Sequence, residues 1–458
     1  VAVIFAFVSA AVLALFGALH WYVWRRLIQD TTPKGSLLRR AGSVLFVAGP
    51  LLSMAAMTAE GDAVPFLLQQ ILAWPGYLWM ALFVYLLLTA LAGEAVRPVL
   101  RRWLARRGAG TDQPQRGLPT TQSTKAQAAD SGVEELVSVG EPPSGATHRG
   151  DAAAARGPAG PVAVPDPPHA PEQPTPSAGT APTGPSRRLF VSRVVGGTAA
   201  AVAVGTVGHG TYGVLRGPKV KRLTVPLAKL PGSAHGFRIA VVSDVHVGPI
   251  LGRGFAQRVV DTINATQPDL IAVVGDLVDG SVENLTPAVE PLAGLRARHG
   301  TYFVTGNHEY ISGAEPWIEK VRDLGLRPLE NARTELPGFD LAGVNDVRGE
   351  EEGQGPDFGK ALGDRDRSRA AVLLAHQPVV IDDAVRHGVD LQLSGHTHGG
   401  QLWPGNYFAE LANPTVAGLE RYGDTQLYVS RGAGVWGPPV RVGAPSDITV
   451  VELASRQA

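Results

Sequence analysis

Long uninterrupted apolar runs fill the first hundred residues, whereas short apolar runs separated by amphipathic stretches fill the half after Lys221. Val1 to Leu19 carries no charge and is long enough to cross a bilayer as a helix. Ala41 to Ala59 is a second such run, interrupted only by Gly49-Pro50, and a third extends from Val64 to Gly93 with Trp74, Tyr77, Trp79 and Tyr85 along it. Its length allows tilt or a break at Pro75. Three runs of this kind leave almost no polar face for water, so buried helices of a soluble domain are a poor account of them. A weaker fourth run, Val194 to Leu215, is rich in small residues and follows Ser186-Arg187-Arg188-Leu189-Phe190-Val191. The paired Arg fits either a twin-arginine export signal or an ordinary fourth span with positive flanks.

After Lys221 the short runs are Arg238-Val242, Leu270-Val274, Tyr302-Val304, Leu341-Val344, Ala371-Leu374, Leu391-Leu393, Leu427-Val429 and Ile448-Val451. Between them, Gly254 to Ala265, Thr286 to Arg298 and Glu315 to Leu324 repeat apolar residues at three and four, which predicts helices covering sheets. Residues 108–185 hold Pro, Ala, Gly, Ser and Gln with few large apolar side chains, too little to bury, and read as a disordered linker. The expected organisation is therefore a membrane domain with three transmembrane helices (1–107), the linker (108–185), the twin-arginine-like segment with a fourth helix (186–216), and an α/β domain (221–458).

Charge orients this arrangement. Arg25, Arg26, Lys34, Arg39 and Arg40 lie between the first two spans, Glu60 and Asp62 between the second and third, and Arg97, Arg101, Arg102, Arg106 and Arg107 after the third. Positive flanks stay in the cytoplasm, which predicts a multi-pass cell-membrane protein with its α/β domain on the extracytoplasmic side. The formal net charge of the 458 residues is zero, and no basic stripe interleaved with aromatics argues for nucleic acid. The absence of cysteine removes disulfides, thiolate metal sites and cysteine nucleophiles. The chain starts at Val1 rather than Met, which implies an alternative start codon or a few missing residues.

Five of the eight short runs lead directly into islands of Asp, His and Asn: Asp244-Val245-His246, Gly275-Asp276-Leu277-Val278-Asp279, Gly306-Asn307-His308-Glu309, Ala375-His376-Gln377-Pro378 and Gly395-His396-Thr397-His398. Loops leaving the carboxyl ends of strands are where such folds gather ligands. Asp244 and His246 are two apart and can reach one ion. Asp276 has two oxygens with which to bridge a pair, Asn307 offers a neutral carbonyl, and His376, His396 and His398 offer nitrogen. Oxygen and imidazole donors without sulfur suit manganese, iron or zinc, and two such ions about 4 Å apart suit a phosphate ester. The solitary His20, His209, His235, His299 and His387 match no island and are expected to be structural.

These islands resemble, in order, the DxH, GDxxD, GNH(D/E), H and GHxH blocks of the calcineurin-like metallophosphoesterase superfamily. Gly395-His396-Thr397-His398-Gly399-Gly400-Gln401 and Tyr428-Val429-Ser430-Arg431-Gly432 are similar to its membrane-attached bacterial branch, the YkuE and YaeI phosphodiesterases. The resemblance implies two packed β-sheets flanked by helices, a first metal held by Asp244, His246 and His398, a second held by Asn307, His376 and His396, and Asp276 bridging them. It further implies a metal-bridging hydroxide as nucleophile, His308 as the catalytic non-ligand facing substrate, and Asp279 as its orienting partner. The expected function is a membrane-anchored binuclear phosphodiesterase. Rivals are a pyrophosphate hydrolase on lipid-linked or nucleotide-sugar envelope precursors, similar to UDP-diacylglucosamine hydrolases, and a metal-binding sensor without catalysis. The expected partners are the membrane and a phosphoester that is lipid- or envelope-associated.

Overall fold

The computed structural model describes residues 2–61, 63–109 and 187–456; the expected linker, 108–185, falls almost entirely outside them. Four helices, α1 (Ala2–Trp24), α2 (Leu37–Thr58), α3 (Phe66–Ala109) and α4 (Arg187–Leu215), are long and apolar enough to cross a membrane. Ser36 starts α2, its hydroxyl accepting from the Arg39 N–H at 3.3 Å, the usual work of an N-cap serine. The break allowed at Pro75 does not occur: α3 continues through Pro75 and Pro98. Neighbouring helices make such interruptions tolerable, and the Gly76 carbonyl accepts from Ser53 of α2 at 2.7 Å.

Among the described residues, twelve strands form two six-stranded sheets. The first has the order β1 (Lys219–Leu227), β12 (Asp447–Ser455), β2 (Phe237–Val242), β3 (Leu270–Val274), β4 (Thr301–Val304), β5 (Arg327–Pro328). The second runs β10 (Gly418–Tyr422), β11 (Thr425–Val429), β9 (Leu391–Ser394), β8 (Ala370–Leu374), β7 (Phe339–Gly343), β6 (Ala332–Leu336). Strands β2, β3 and β4 are parallel, as are β7, β8, β9 and β11. Ile239, Val241, Ala272 and Val274 of one sheet pack against Leu341, Val372, Leu374 and Leu393 of the other. Both faces of the central strands are buried, which is why they read as continuous apolar runs.

Helices cover the outer faces. On the first sheet lie α5 (Arg253–Ala265), α6 (Val282–Val289) and α8 (Ala314–Asp323), with α7 (Asn307–Ser312) preceding the last. On the second lie α9 (Phe358–Leu362) and α10 (Ile381–Arg386), while α11 (Gly405–Ala412) buries none of its residues. The helix expected over Thr286 to Arg298 is displaced. It starts at Val282, tightens to a 3₁₀ turn over Glu290–Gly294, and leaves Leu295 to Arg298 outside. Pro287 and Pro291 each lack an N–H for the α ladder, which accounts for the early stop.

Candidate metal centre

The five islands meet at one place because β2, β3 and β4 in one sheet and β8 and β9 in the other end at the same edge of the sandwich. Backbone bonds stitch the loops together: Asp244 N–H donates to Gly275 O at 3.0 Å and His246 N–H to Asp276 O at 3.1 Å. Gly275 has φ 72°, and a Cβ there would stand 2.6 Å from His376 Nδ1 and 2.7 Å from the Gly306 backbone. Gly395 is needed for a different reason, since a Cβ on it would lie 2.4 Å from Asp244 Oδ2.

Three sets of donor atoms gather within 4.8 Å of one another: Asp244, His246 and His398; Asp276, His376 and His396; and His246, Asp276 and His308. Within them His246 Nε2 lies 3.0 Å from His398 Nε2, and His398 Nε2 lies 3.5 Å from Asp244 Oδ1. Asp276 Oδ2 stands 3.2 Å from His376 Nε2 and 3.8 Å from His246 Nε2. It thus touches both sets, as a bridging carboxylate must. The seventh expected donor, Asn307, places Oδ1 2.9 Å from His396 Nδ1.

Outer contacts fix which atoms face inward. His376 Nδ1 donates to Val274 O at 2.8 Å and His246 Nδ1 to Asp279 Oδ1 at 2.8 Å, leaving each Nε2 as the lone-pair atom. Asp244 Oδ2 is buried without a hydrogen-bond partner, a costly state that a cation relieves. The donor set therefore fits divalent ions. Burial would lift the Asp279 carboxyl, but His246 and His308 hold it down at about 2. The His308 Nδ1 also lies 2.8 Å from Asp279 Oδ1. Burial lowers the pKa of His308, yet the bond to Asp279, with Asp276 and Glu309 behind it, raises it to about 9. Burial and the charge of His376 push His396 down to about 4.

Asp279 thus contacts two rings, His246 as well as His308, whereas the family resemblance implies only the second. Two further residues, neither of them an expected ligand or catalytic group, support the site. Glu309 is fully buried, and its carboxylate accepts from the N–H groups of Gly306, Asp276 and Leu277 at 2.6, 2.9 and 2.7 Å. An acid at the third position of a helix that starts at Asn307 is a readable capping signal. Arg441 donates to the His398, Ala444 and Gly434 carbonyls and sits 3.0 Å from His398 Nδ1. This contact at Nδ1 holds the ring with Nε2 turned toward Asp244 and His246. Nothing in its Pro- and Gly-rich surroundings announces Arg441. His20, His209, His235, His299 and His387 join none of the donor sets among the described residues.

A cavity of about 450 Å³ opens at His246, Asp279 and His308. A larger one, about 610 Å³, lies between α4 and residues 441–446 and contains none of the expected ligands. At the mouth of the first, Trp436 meets His308 edge-on with ring centroids 5.6 Å apart.

Residues 237–400 match the calcineurin-like phosphoesterase family. The chain is 39% identical over 259 residues to the transmembrane protein with metallophosphoesterase domain of Danio rerio, covering 54% of this chain and 59% of that one. It is 33% identical over 261 residues to an uncharacterized metallophosphoesterase of Aquifex aeolicus, covering 56% of this chain and 98% of that one. Against the uncharacterized metallophosphoesterase YkuE of Bacillus subtilis it is 28% identical over 280 residues, 59% of this chain and 98% of the other. The chain thus spans more than half, but less than two thirds, of its zebrafish relative, and nearly all of the two bacterial ones. With the two-sheet fold and the five ligand blocks in one cluster, the chain belongs to the calcineurin-like metallophosphoesterases.

Proposed function

We propose that this protein is a membrane-anchored, binuclear metal-dependent phosphoester hydrolase, specifically a phosphodiesterase, with its catalytic domain on the extracytoplasmic side. The observation that carries the reading is the position of Asp276, 3.8 Å from His246 of the Asp244–His246–His398 set and 3.2 Å from His376 of the other, with His308 near it and lining the cavity. Asp244, His246 and His398 would hold one ion, Asn307, His376 and His396 the other, and Asp276 would join both. Two divalent ions there supply an acidified water and neutralise charge on the phosphate. The chain's own residues do the rest. Asp279 fixes the His308 ring through Nδ1 and favours its charged form, which leaves Nε2 free to protonate the departing oxygen. The side chain of His308 is 12% exposed, enough to meet a ligand but not bulk solvent.

His308→Ala should keep its metal and lose turnover by about 10²- to 10⁴-fold, the range of a general acid. Asp276→Asn should lose metal and turnover together. Elemental analysis beside hydrolysis of bis-p-nitrophenyl phosphate separates the two, and equal metal loss in both variants would overturn the role of His308. An envelope-associated ester fits the anchoring, because four apolar helices keep the domain beside the membrane.

A further inference from the structure

The cavity that His246 and His308 line is also lined by Ala56 of α2 and by Ala73 and Tyr77 of α3. These three form a buried apolar cluster of their own, against which Ile250 of the catalytic domain packs. The Tyr77 hydroxyl donates to the carboxylate of Glu60, in the α2–α3 turn, so the ring is fixed at the cavity wall. The rim carries Ile311 and Trp436, 66% and 55% exposed. Candidate membrane spans thus form one side of the space in which phosphate chemistry would occur. Glu60 and Asp279, both lining it, disfavour a ligand carrying further negative charge beyond its phosphate.

We propose that this cavity selects an amphiphilic phosphodiester, with its phosphate toward His246 and His308 and its alkyl part along Ala56, Ala73 and Tyr77. The assignment rests on the hydrolase reading for its chemistry: water adds to phosphorus, one P–O bond breaks, and the released alcohol takes a proton. Binding, however, can be read without turnover.

The full chain, in lipid nanodiscs with manganese, would be titrated calorimetrically with dimethyl phosphate and with octyl methyl phosphate. The corresponding p-nitrophenyl esters, methyl and octyl, would report hydrolysis. Burying even two or three methylenes predicts at least a roughly tenfold preference for the octyl compound in both assays. Ala73→Phe, which fills the wall, should bring the octyl-to-methyl ratio toward one; a preference due to partition into the nanodisc lipid would not respond. Ile311→Asp, at an exposed rim position where folding is not at stake, should lower the same ratio. Equal affinity for the two phosphates, or a ratio unmoved by both variants, overturns the proposal whether or not the esters are cleaved. Preferential octyl binding that responds to Ala73→Phe without any cleavage would support it and overturn the hydrolase reading alone.

Discussion

Asp244, His246, Asp276, His396 and His398, five of the seven expected ligands, have φ between 49° and 71°. Non-glycine residues adopt this left-handed region at a cost of order 1 kcal/mol or more each, and persist there when their surroundings over-determine them. Glu309 and Arg441 are part of that constraint. Glu309 gathers three N–H groups, two from the Asp276 loop and one from Gly306; burial and Asp276 push its carboxyl up to about 7, and each bond contributes about 0.5–1.5 kcal/mol. Glu309→Ala is therefore expected to lower the melting temperature by several degrees and metal occupancy with it, measured by calorimetry and elemental analysis; an unchanged melting temperature would show that the loops hold themselves. Burial drives the Arg441 guanidinium down to about 10, yet it still makes a fork of bonds that lysine cannot copy. Arg441→Lys should loosen His398 and weaken the ion held with Asp244 and His246, leaving the His376 and His396 side occupied. Metal titration would show one strong and one weak site; two equally weakened sites would refute the assignment.

Elements were legible where burial is two-sided and obscure where it is not. The run Leu270–Val274 coincides with β3, because a strand covered on both faces is one apolar run. Strands β1, β5, β6 and β10 do not stand out in the sequence. Their burial is partial and their residues polar, as in Ala332–Leu336 and Gly418–Tyr422, because each lies at the edge of its sheet, where water faces one side. The ligand blocks escaped this difficulty, since they follow central strands. Helix α11 is another element that pattern alone did not reveal. Tyr407, Phe408 and Leu411 are 57%, 70% and 85% exposed, and the preceding Trp403 carbonyl accepts from Tyr85 of α3 at 3.0 Å. An apolar helix so placed beside a candidate span is expected to lie against the bilayer surface. A nitroxide on Leu411→Cys should be relieved by oxygen more than by a water-soluble nickel chelate in reconstituted vesicles. The reverse order would put α11 in water.

At the scale of the molecule, the helix bundle has two ends that the structure distinguishes. At one, Arg193 of α4 donates to the Thr31 carbonyl in the α1–α2 link at 3.0 Å. At the other, Glu60 of the α2–α3 turn lines the catalytic cavity with Asp279 and His308. Under the proposed orientation the first end would be cytoplasmic, because Arg and Lys crowd the α1–α2 link while the α2–α3 turn is acidic. The contact places the α2–α3 turn beside the catalytic domain, and the proposed topology would put both on the extracytoplasmic side. Since the chain has no cysteine, single cysteines can test this without background. Gly61→Cys, and Ser368→Cys in the catalytic domain, should react with a membrane-impermeant maleimide added to intact cells, whereas Ser36→Cys should react only after permeabilisation. Labelling of Ser36→Cys alone in intact cells would invert the topology. Labelling at positions 36 and 61 together would mean that α2 does not cross, and the cavity wall formed by Ala56, Ala73 and Tyr77 would then lie on a membrane-surface hairpin rather than at the end of a span.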